Sequence, residues 1–173
     1  AGTSEMFGKV LTVPQNEETP FNPQSPYACS KVYSHFIVKN YRESYGLFAC
    51  NGILFNHESP RRGNNFVTQK IINGVKKFKI LKESKDDSEY ILTLGNINSK
   101  RDWGHAKDYI KAMWLMLQQK EAEDYVIASE KTYTIREFIE KAFKKIDIEI
   151  EWIGDGLEEI GIDKDSKRML IKI

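Results

Sequence analysis

No glycine-rich phosphate loop is present: neither Gly-x-Gly-x-x-Gly nor Gly-x-x-Gly-x-x-Gly follows any stretch that reads as a strand, so a dinucleotide cradle would have to lie outside these 173 residues. Cysteine is almost lacking. Cys29 and Cys50 are the only two and form no Cys-x-x-Cys pair, which argues against a disulfide framework or a zinc site. That usage fits a reducing compartment, and a cytoplasmic location is expected. His35, His57 and His105 are too scattered to suggest a metal cluster, and no metal is expected. No apolar run approaches the roughly 18 residues of a membrane-spanning helix, and no signal-peptide pattern opens the chain. An excess of one charge is missing too. Lys and Arg number 26 against 25 Asp and Glu, a net +1, so nothing steers the protein as a whole to nucleic acid or to an anionic membrane.

What is present is enough apolar content, 40%, to bury a core in one domain or part of a larger one. The chain opens on Ala1-Gly2-Thr3-Ser4, which reads as the tail of a strand, and ends in the apolar run Lys167–Ile173 without a turn or cap. Both ends read as cut, and the chain as a fragment. Residues 8–24, with Gly8, Pro14, Pro20 and Pro23, read as a surface loop. From Ser25 the spacing of Val32, Phe36, Ile37 and Tyr41 predicts a helix closed by Gly46. Leu47–Phe55 then reads as a buried parallel strand. Residues 56–65 read as a polar loop at its carboxyl end, where ligands bind in open α/β sheets. Further expected elements are a helix from Phe66 to about Lys77, a charged exposed loop over 82–89, a short strand at Tyr90–Leu94, and a helix through Ala106, Tyr109, Met113, Trp114 and Leu117 whose Met and Trp side chains pack in the core. After those come a strand at Asp124–Ser129, a capping box at Thr134–Glu137 opening a helix to about Lys145, and a strand at Glu149–Ile153. The tail beyond Gly154 is left open. Alternating strands and helices predict an α/β fold with a mainly parallel sheet.

Chemistry concentrates in the first 31 residues. If Ser25 caps a helix and Pro26 takes its first position, Tyr27 and Lys31 share one face, one turn apart. An ammonium beside a phenol favours the phenolate, a usable general base. Thr3 and Glu5 alternate, so on a strand end they would point to the same side. The Tyr/Lys spacing by itself carries little weight, since eight tyrosines in a lysine-rich chain give about one such pair by chance. Taken singly, His57 reads as a hydrogen-bonded loop histidine, Arg61 and Arg62 as an exposed pair, and Glu5 as a solvated carboxylate.

Longer blocks are more specific. Thr3-Ser-Glu-Met-Phe-Gly8, Thr19-Pro-Phe21, Ser25-Pro-Tyr27 with Lys31, Asn51-Gly-Ile-Leu-Phe-Asn-His-Glu-Ser-Pro-Arg-Arg-Gly63 and Arg101-Asp-Trp-Gly-His-Ala-Lys-Asp-Tyr109 strongly resemble the GDP-mannose 4,6-dehydratase family, NADP-dependent members of the extended short-chain dehydrogenase/reductase superfamily. The resemblance runs from residue 1 to about 155. It implies part of a Rossmann-like doubly wound parallel sheet plus part of a smaller C-terminal substrate-binding region, with 1–55 forming the catalytic second half of the Rossmann-like domain and 56–173 mixing substrate-binding and sheet-completing segments. It implies NADP as cofactor, GDP-mannose as substrate and a homo-oligomer, dimer or tetramer. Tyr27 matches the catalytic base at the sugar 4-hydroxyl, Lys31 the lysine that supports it and holds the nicotinamide ribose, Glu5 the carboxylate that takes the C5 proton and helps water leave C6, and Thr3 a hydroxyl near O4. His57 and Arg62 match positions near NADP, and Asn56, Val67, Lys70 and Arg101 match contacts to the GDP-sugar.

The chain departs from the family in three ways. The half that holds the glycine-rich loop is missing, as is a C-terminal Arg-Pro-x-Glu segment, and Gln69 stands where relatives often carry a basic residue. Little of these 173 residues would hold NADP, so the chain on its own is expected to be nearly inactive, with an exposed apolar sheet edge. Two rivals remain: a related nucleotide-sugar dehydratase or epimerase, and a non-catalytic module that binds GDP-sugar or assembles with longer copies. Glu5 after Thr3-Ser4 argues against an epimerase, because simple C4 epimerisation abstracts no C5 proton.

Overall fold

The chain folds into two units, each made of two separate segments: Ala1–Ser59 with Asp102–Lys131, and Pro60–Arg101 with Thr132–Ile173. The computed structural model describes residues 1–84 and 88–173. No described helix is long and apolar enough to cross a membrane.

The first unit is built on β1 (Asn51–Leu54), buried at every position. Helix α1 (Pro26–Tyr45) precedes β1 and packs on it. Ser25 caps α1 by accepting the Ala28 N–H at 3.1 Å, with Pro26 in the first turn, and Gly46 closes it at φ 64°. Both ends follow the predicted logic of an oxygen acceptor at the start and a left-handed residue at the finish. The buried face of α1 is Ala28 and His35, however, while Phe36, Ile37 and Tyr41 stay substantially exposed. The short β2 (Asn56–Glu58) corrects the expected polar loop, because Asn56 and His57 lie on a strand. It pairs in parallel with β4 (Lys100–His105), His57 opposite Gly104. The alternating backbone polar groups of 56–58 find partners there, so the polar side chains do not force a loop.

Helix α3 (Ala106–Met116) follows β4 directly, with His105 as its cap. β5 (Asp124–Ile127) then pairs in parallel with β1, Ile53 opposite Val126. The core of the unit is Met6, Phe7 and Ile53, with Phe21, Val32, Phe55 and Val126 around it. In α3 the buried side chains are Tyr109 and Met116, whereas Trp114 and Ile110 face outward, so the expected core role of Trp114 does not hold. One face of a helix this short is covered by Tyr109 and Met116, seven residues apart, which leaves the i, i+4 pair Ile110/Trp114 on the opposite side.

Loop 8–24 is irregular, as expected, and its Glu17 carboxylate accepts the Val126 N–H of β5 at 2.6 Å. Gly8 sets the loop's entry. It adopts φ +52°, and a Cβ there would stand 1.9 Å from the Asn22 carbonyl oxygen. Gly8→Ala is expected to destabilise the protein by roughly 2–4 kcal/mol, from left-handed strain and overpacking against backbone. Thermal unfolding checks this, and an unchanged midpoint would contradict it.

Under the β1/β5 pair lies a polar cluster. Arg42 donates to Asp124 at 2.9 Å and to the Ala49 carbonyl at 3.0 Å, Asn51 donates to Asp124 at 2.9 Å and to the His35 carbonyl at 3.2 Å, and His35 Nε2 lies 3.5 Å from Asp124. Burial would raise the Asp124 carboxyl, but hydrogen bonds from Arg42 and Asn51 outweigh it and hold it below its ordinary 3.8. Burial lowers His35 below its ordinary 6.5, against the opposing pull of Asp124. Both shifts act in one direction. The unfolded chain binds the His35 proton more readily, so that contribution is complete above 6.5 and falls as pH drops beneath it. The Asp124 contribution is complete above 3.8 and is lost as pH falls below that value. Unfolding midpoints are expected to decline on acidification, and His35→Phe is expected to flatten the decline that begins at 6.5. Parallel curves for the two proteins would refute this.

The second unit pairs α2 (Val67–Ser84) with a mixed sheet. The helix runs past the expected end at Lys77 because Phe78 and Leu81 continue the buried stripe of Ile71 and Val75. The expected charged loop is therefore helical to Ser84, and its residues 85–87 lie outside the described residues. β3 (Leu92–Thr93) pairs in parallel with β9 (Met169–Lys172). β6 (Thr132–Thr134) leads into α4 (Ile135–Lys144), whose capping box joins Thr134 and Glu137 as predicted. The tail left open in the sequence is an antiparallel meander: β7 (Ile150–Ile153), β8 (Ile160–Asp163) and β9. Phe78 of α2 and Phe143 of α4 meet at 5.4 Å, and Glu159 takes both guanidinium nitrogens of Arg136 at 2.7 and 2.9 Å.

Candidate active site

Thr3 and Glu5 do not sit on a strand end. Residues Ser4–Met6 form one turn of 3-10 helix, capped by Thr3, whose Oγ1 accepts the Glu5 N–H at 3.3 Å. The turn forms because Met6 and Phe7 are drawn into the core, which curls the backbone between them and Thr3. The alternation argument for a shared side therefore fails. What places the two groups is the turn itself, anchored by the Gly2 N–H on the Gly52 carbonyl at 2.7 Å. Glu5 is exposed and Thr3 half-buried.

Tyr27 lies in the first turn of α1, about half exposed. Lys31 Nζ stands 5.8 Å from its ring centre, on the same face, as the spacing requires. The same ammonium donates to the Ala1 carbonyl at 3.0 Å. That bond ties the start of α1 to the segment leading into the Thr3–Glu5 turn, so four of the sequence-predicted groups share one corner of the first unit.

Asn56 and His57 follow on β2. The Phe55 carbonyl is 2.9 Å from His57 Nδ1 and can only accept, so Nδ1 carries the proton. The His57 ring stacks on Tyr109, centroids 4.7 Å apart and planes at 24°. Burial, with Asp102 and Asp108 nearby, pushes the Tyr109 hydroxyl up to about 12. Tyr109 was not among the groups predicted from sequence to serve the site. The sequence offered no signal for it, because the strand that carries Gly104, five residues earlier, was not among the expected elements.

The remaining predicted contacts belong to the second unit. The Arg62 guanidinium lies 3.5 Å from the Phe66 ring centre. Val67 opens α2 half-buried, Lys70 is exposed in its first turn, and Arg101 is exposed on β4 with Nη1 donating to the Lys100 carbonyl at 2.7 Å. Among the described residues no cluster of His, Cys, Asp or Glu could hold a metal ion.

The first unit thus holds a hydroxyl-capped turn with an exposed carboxylate and, tied to its leading segment through the Lys31–Ala1 bond, a phenol and an ammonium one helical turn apart. The sequence model of the GDP-mannose 4,6 dehydratase family matches residues 1–173. This chain belongs to that family. The GDP-mannose 4,6 dehydratase of Drosophila melanogaster is 56% identical over 173 residues, covering all of this chain and 42% of its own length. The chain thus spans less than half the length of the curated dehydratases it matches, 42% and 47% in two of them. Its fold is also that of RMD from Pseudomonas aeruginosa, solved in complex with NADPH: 24% identity, TM-score 0.74, covering 99% of this chain and 54% of that one. The dTDP-glucose 4,6-dehydratase of Bacillus anthracis, solved with NAD, is similar over 84% of this chain and 44% of its own, at 23% identity and TM-score 0.73. The likeness shows the fold, a Rossmann-like α/β arrangement, to which the parallel β1/β5 pair with α1 packed beside it belongs.

Proposed function

We propose that this chain carries the catalytic groups of a GDP-mannose 4,6-dehydratase, which converts GDP-D-mannose to GDP-4-keto-6-deoxy-D-mannose with bound NADP. The observation that carries the reading is the Lys31–Ala1 hydrogen bond, which holds the Tyr27/Lys31 pair against the segment bearing Thr3 and Glu5.

NADP, when bound, takes a hydride from the sugar and returns it. The residues here fit the nicotinamide-ribose end of such a cofactor, because Lys31 keeps two further N–H donors after its bond to Ala1. In this reading the Tyr27 oxygen removes the proton of the sugar 4-hydroxyl. Thr3 accepts the Glu5 N–H and still has its own O–H to donate to O4. The 4-ketone so formed acidifies C5. Glu5, exposed and two residues from the Thr3 cap, takes the C5 proton and delivers a proton to the hydroxyl leaving C6, so that water departs and a C5–C6 double bond forms. The proton that Tyr27 took from the 4-hydroxyl is the one that would return to C5 when hydride is restored at C6, so the protons balance with one water lost. His57 and Arg62 are assigned to NADP, the latter because a guanidinium fork suits a phosphate. Asn56, Val67, Lys70 and Arg101 are assigned to the GDP-sugar. A homo-oligomer and a cytoplasmic setting belong to the same proposal.

The test is turnover. The intact protein, loaded with NADP⁺, is expected to convert GDP-D-mannose to the 4-keto-6-deoxy product, and to leave UDP- and dTDP-hexoses untouched. Turnover of those sugars in place of GDP-mannose would move the reading to another nucleotide-sugar dehydratase or epimerase. The 173-residue chain alone is expected to be nearly inactive, because it supplies no glycine-rich phosphate loop.

A further inference from the structure

The space beneath His57 is made by a missing side chain. In the parallel pairing of β2 with β4, His57 stands opposite Gly104. Residues at paired positions on adjacent strands project to the same face, so any side chain at 104 would lie beside the imidazole. That space is taken by Tyr109, which α3 brings back over the strand. The ring is 3% exposed and stacks on His57, centroids 4.7 Å apart. A Cβ at Gly104 would stand 2.3 Å from Tyr109 Cε2 and 3.0 Å from its hydroxyl oxygen, so the ring fits only because residue 104 is glycine. The imidazole is held at two points: the ring face rests on Tyr109, and Nδ1 donates to the Phe55 carbonyl at 2.9 Å. The opposite edge, carrying Nε2, is thereby given a set direction.

We propose that Gly104 and Tyr109 form a slot that fixes the ring plane of His57, and that Tyr109 is a positioning residue for NADP binding, acting through His57. The cofactor part rests on the assignment of His57 to NADP made above. The ring of Tyr109, rather than its hydroxyl, does the positioning.

Two readouts separate the claims. In the intact protein labelled with ¹³C-histidine, the His57 ring signals carry an upfield ring-current shift from the stacked phenol. Tyr109→Leu is expected to abolish that shift and to weaken NADP⁺ binding, measured by calorimetry, about 2- to 12-fold, the worth of one aromatic pair. Tyr109→Phe is expected to restore both. Gly104→Ala, which displaces the ring without removing it, is expected to move the His57 signals in the same sense as Tyr109→Leu. In a His57→Ala background, Tyr109→Leu is expected to cause no further loss of NADP⁺ affinity. An unchanged His57 shift in Tyr109→Leu overturns the slot. Equal weakening with and without His57, or failure of Tyr109→Phe to restore affinity, overturns action through that ring. If His57→Ala leaves NADP⁺ affinity intact, the assignment of His57 to NADP falls and the positioning role with it, while the chemical shift still decides whether the slot sets the ring.

Discussion

Tyr27→Phe is expected to lower kcat for GDP-mannose by about 10²–10⁴-fold, the usual worth of a positioned general base, with little change in KM. The substitution removes one oxygen and nothing else that packs, since the ring is about half exposed and its helix is started by Ser25 and Pro26. Unfolding should therefore be unaffected, which separates a chemical loss from a structural one. The ring also remains under the Lys31 ammonium, 5.8 Å away in the native protein, so the bond from Lys31 to the Ala1 carbonyl persists. Steady-state kinetics together with NADP⁺ titration is the measurement. A loss smaller than tenfold would take the base role away from Tyr27, and a rise in KM alone would make it a binding group.

Asp124→Ala is the second large effect, and it concerns stability. Asp124 accepts from Arg42 and Asn51 at 2.9 Å each and lies 3.5 Å from His35 Nε2. Arg42 and Asp124 have side chains only 16% and 17% exposed, so water compensates poorly for a lost partner. Removing the carboxylate leaves a largely buried guanidinium and an amide without their common acceptor. Breaking a buried pair from one side costs about 3–5 kcal/mol. The expected result is a large drop in the unfolding midpoint. Asp124→Asn should lose less, because it keeps an oxygen for Asn51 and Arg42. Because β5 pairs with β1, the damage is expected to reach the Gly2 contact on Gly52 and so the Thr3–Glu5 turn, and turnover should fall with stability. Chemical denaturation of both variants checks this, and a midpoint near that of the native protein would show that the cluster is replaceable.

The sequence by itself determined the family, the α/β class and the chemical inventory. Ser25-Pro26 and Gly46 mark the ends of α1, and Thr134 with Glu137 the start of α4, because caps depend on residues within one helical turn. Tyr27 and Lys31 were legible as a pair for the same reason: a helix that starts correctly fixes which side chains share a face. Tertiary structure decided what depends on partners distant in the chain. Thr3 and Glu5 lie on a turn rather than a strand because Met6 and Phe7 are drawn into a core with Ile53. Asn56 and His57 form a strand because residues 103–105 supply the neighbouring backbone, which no local propensity reports. Arg42, Asn51 and Asp124 converge across 82 residues of chain, and burial then sets the protonation of His35. The slot at Gly104 is the clearest instance. A glycine, a histidine and a tyrosine carry no joint signal in the sequence, and only the register of β2 on β4 and the tight passage into α3 bring the three together.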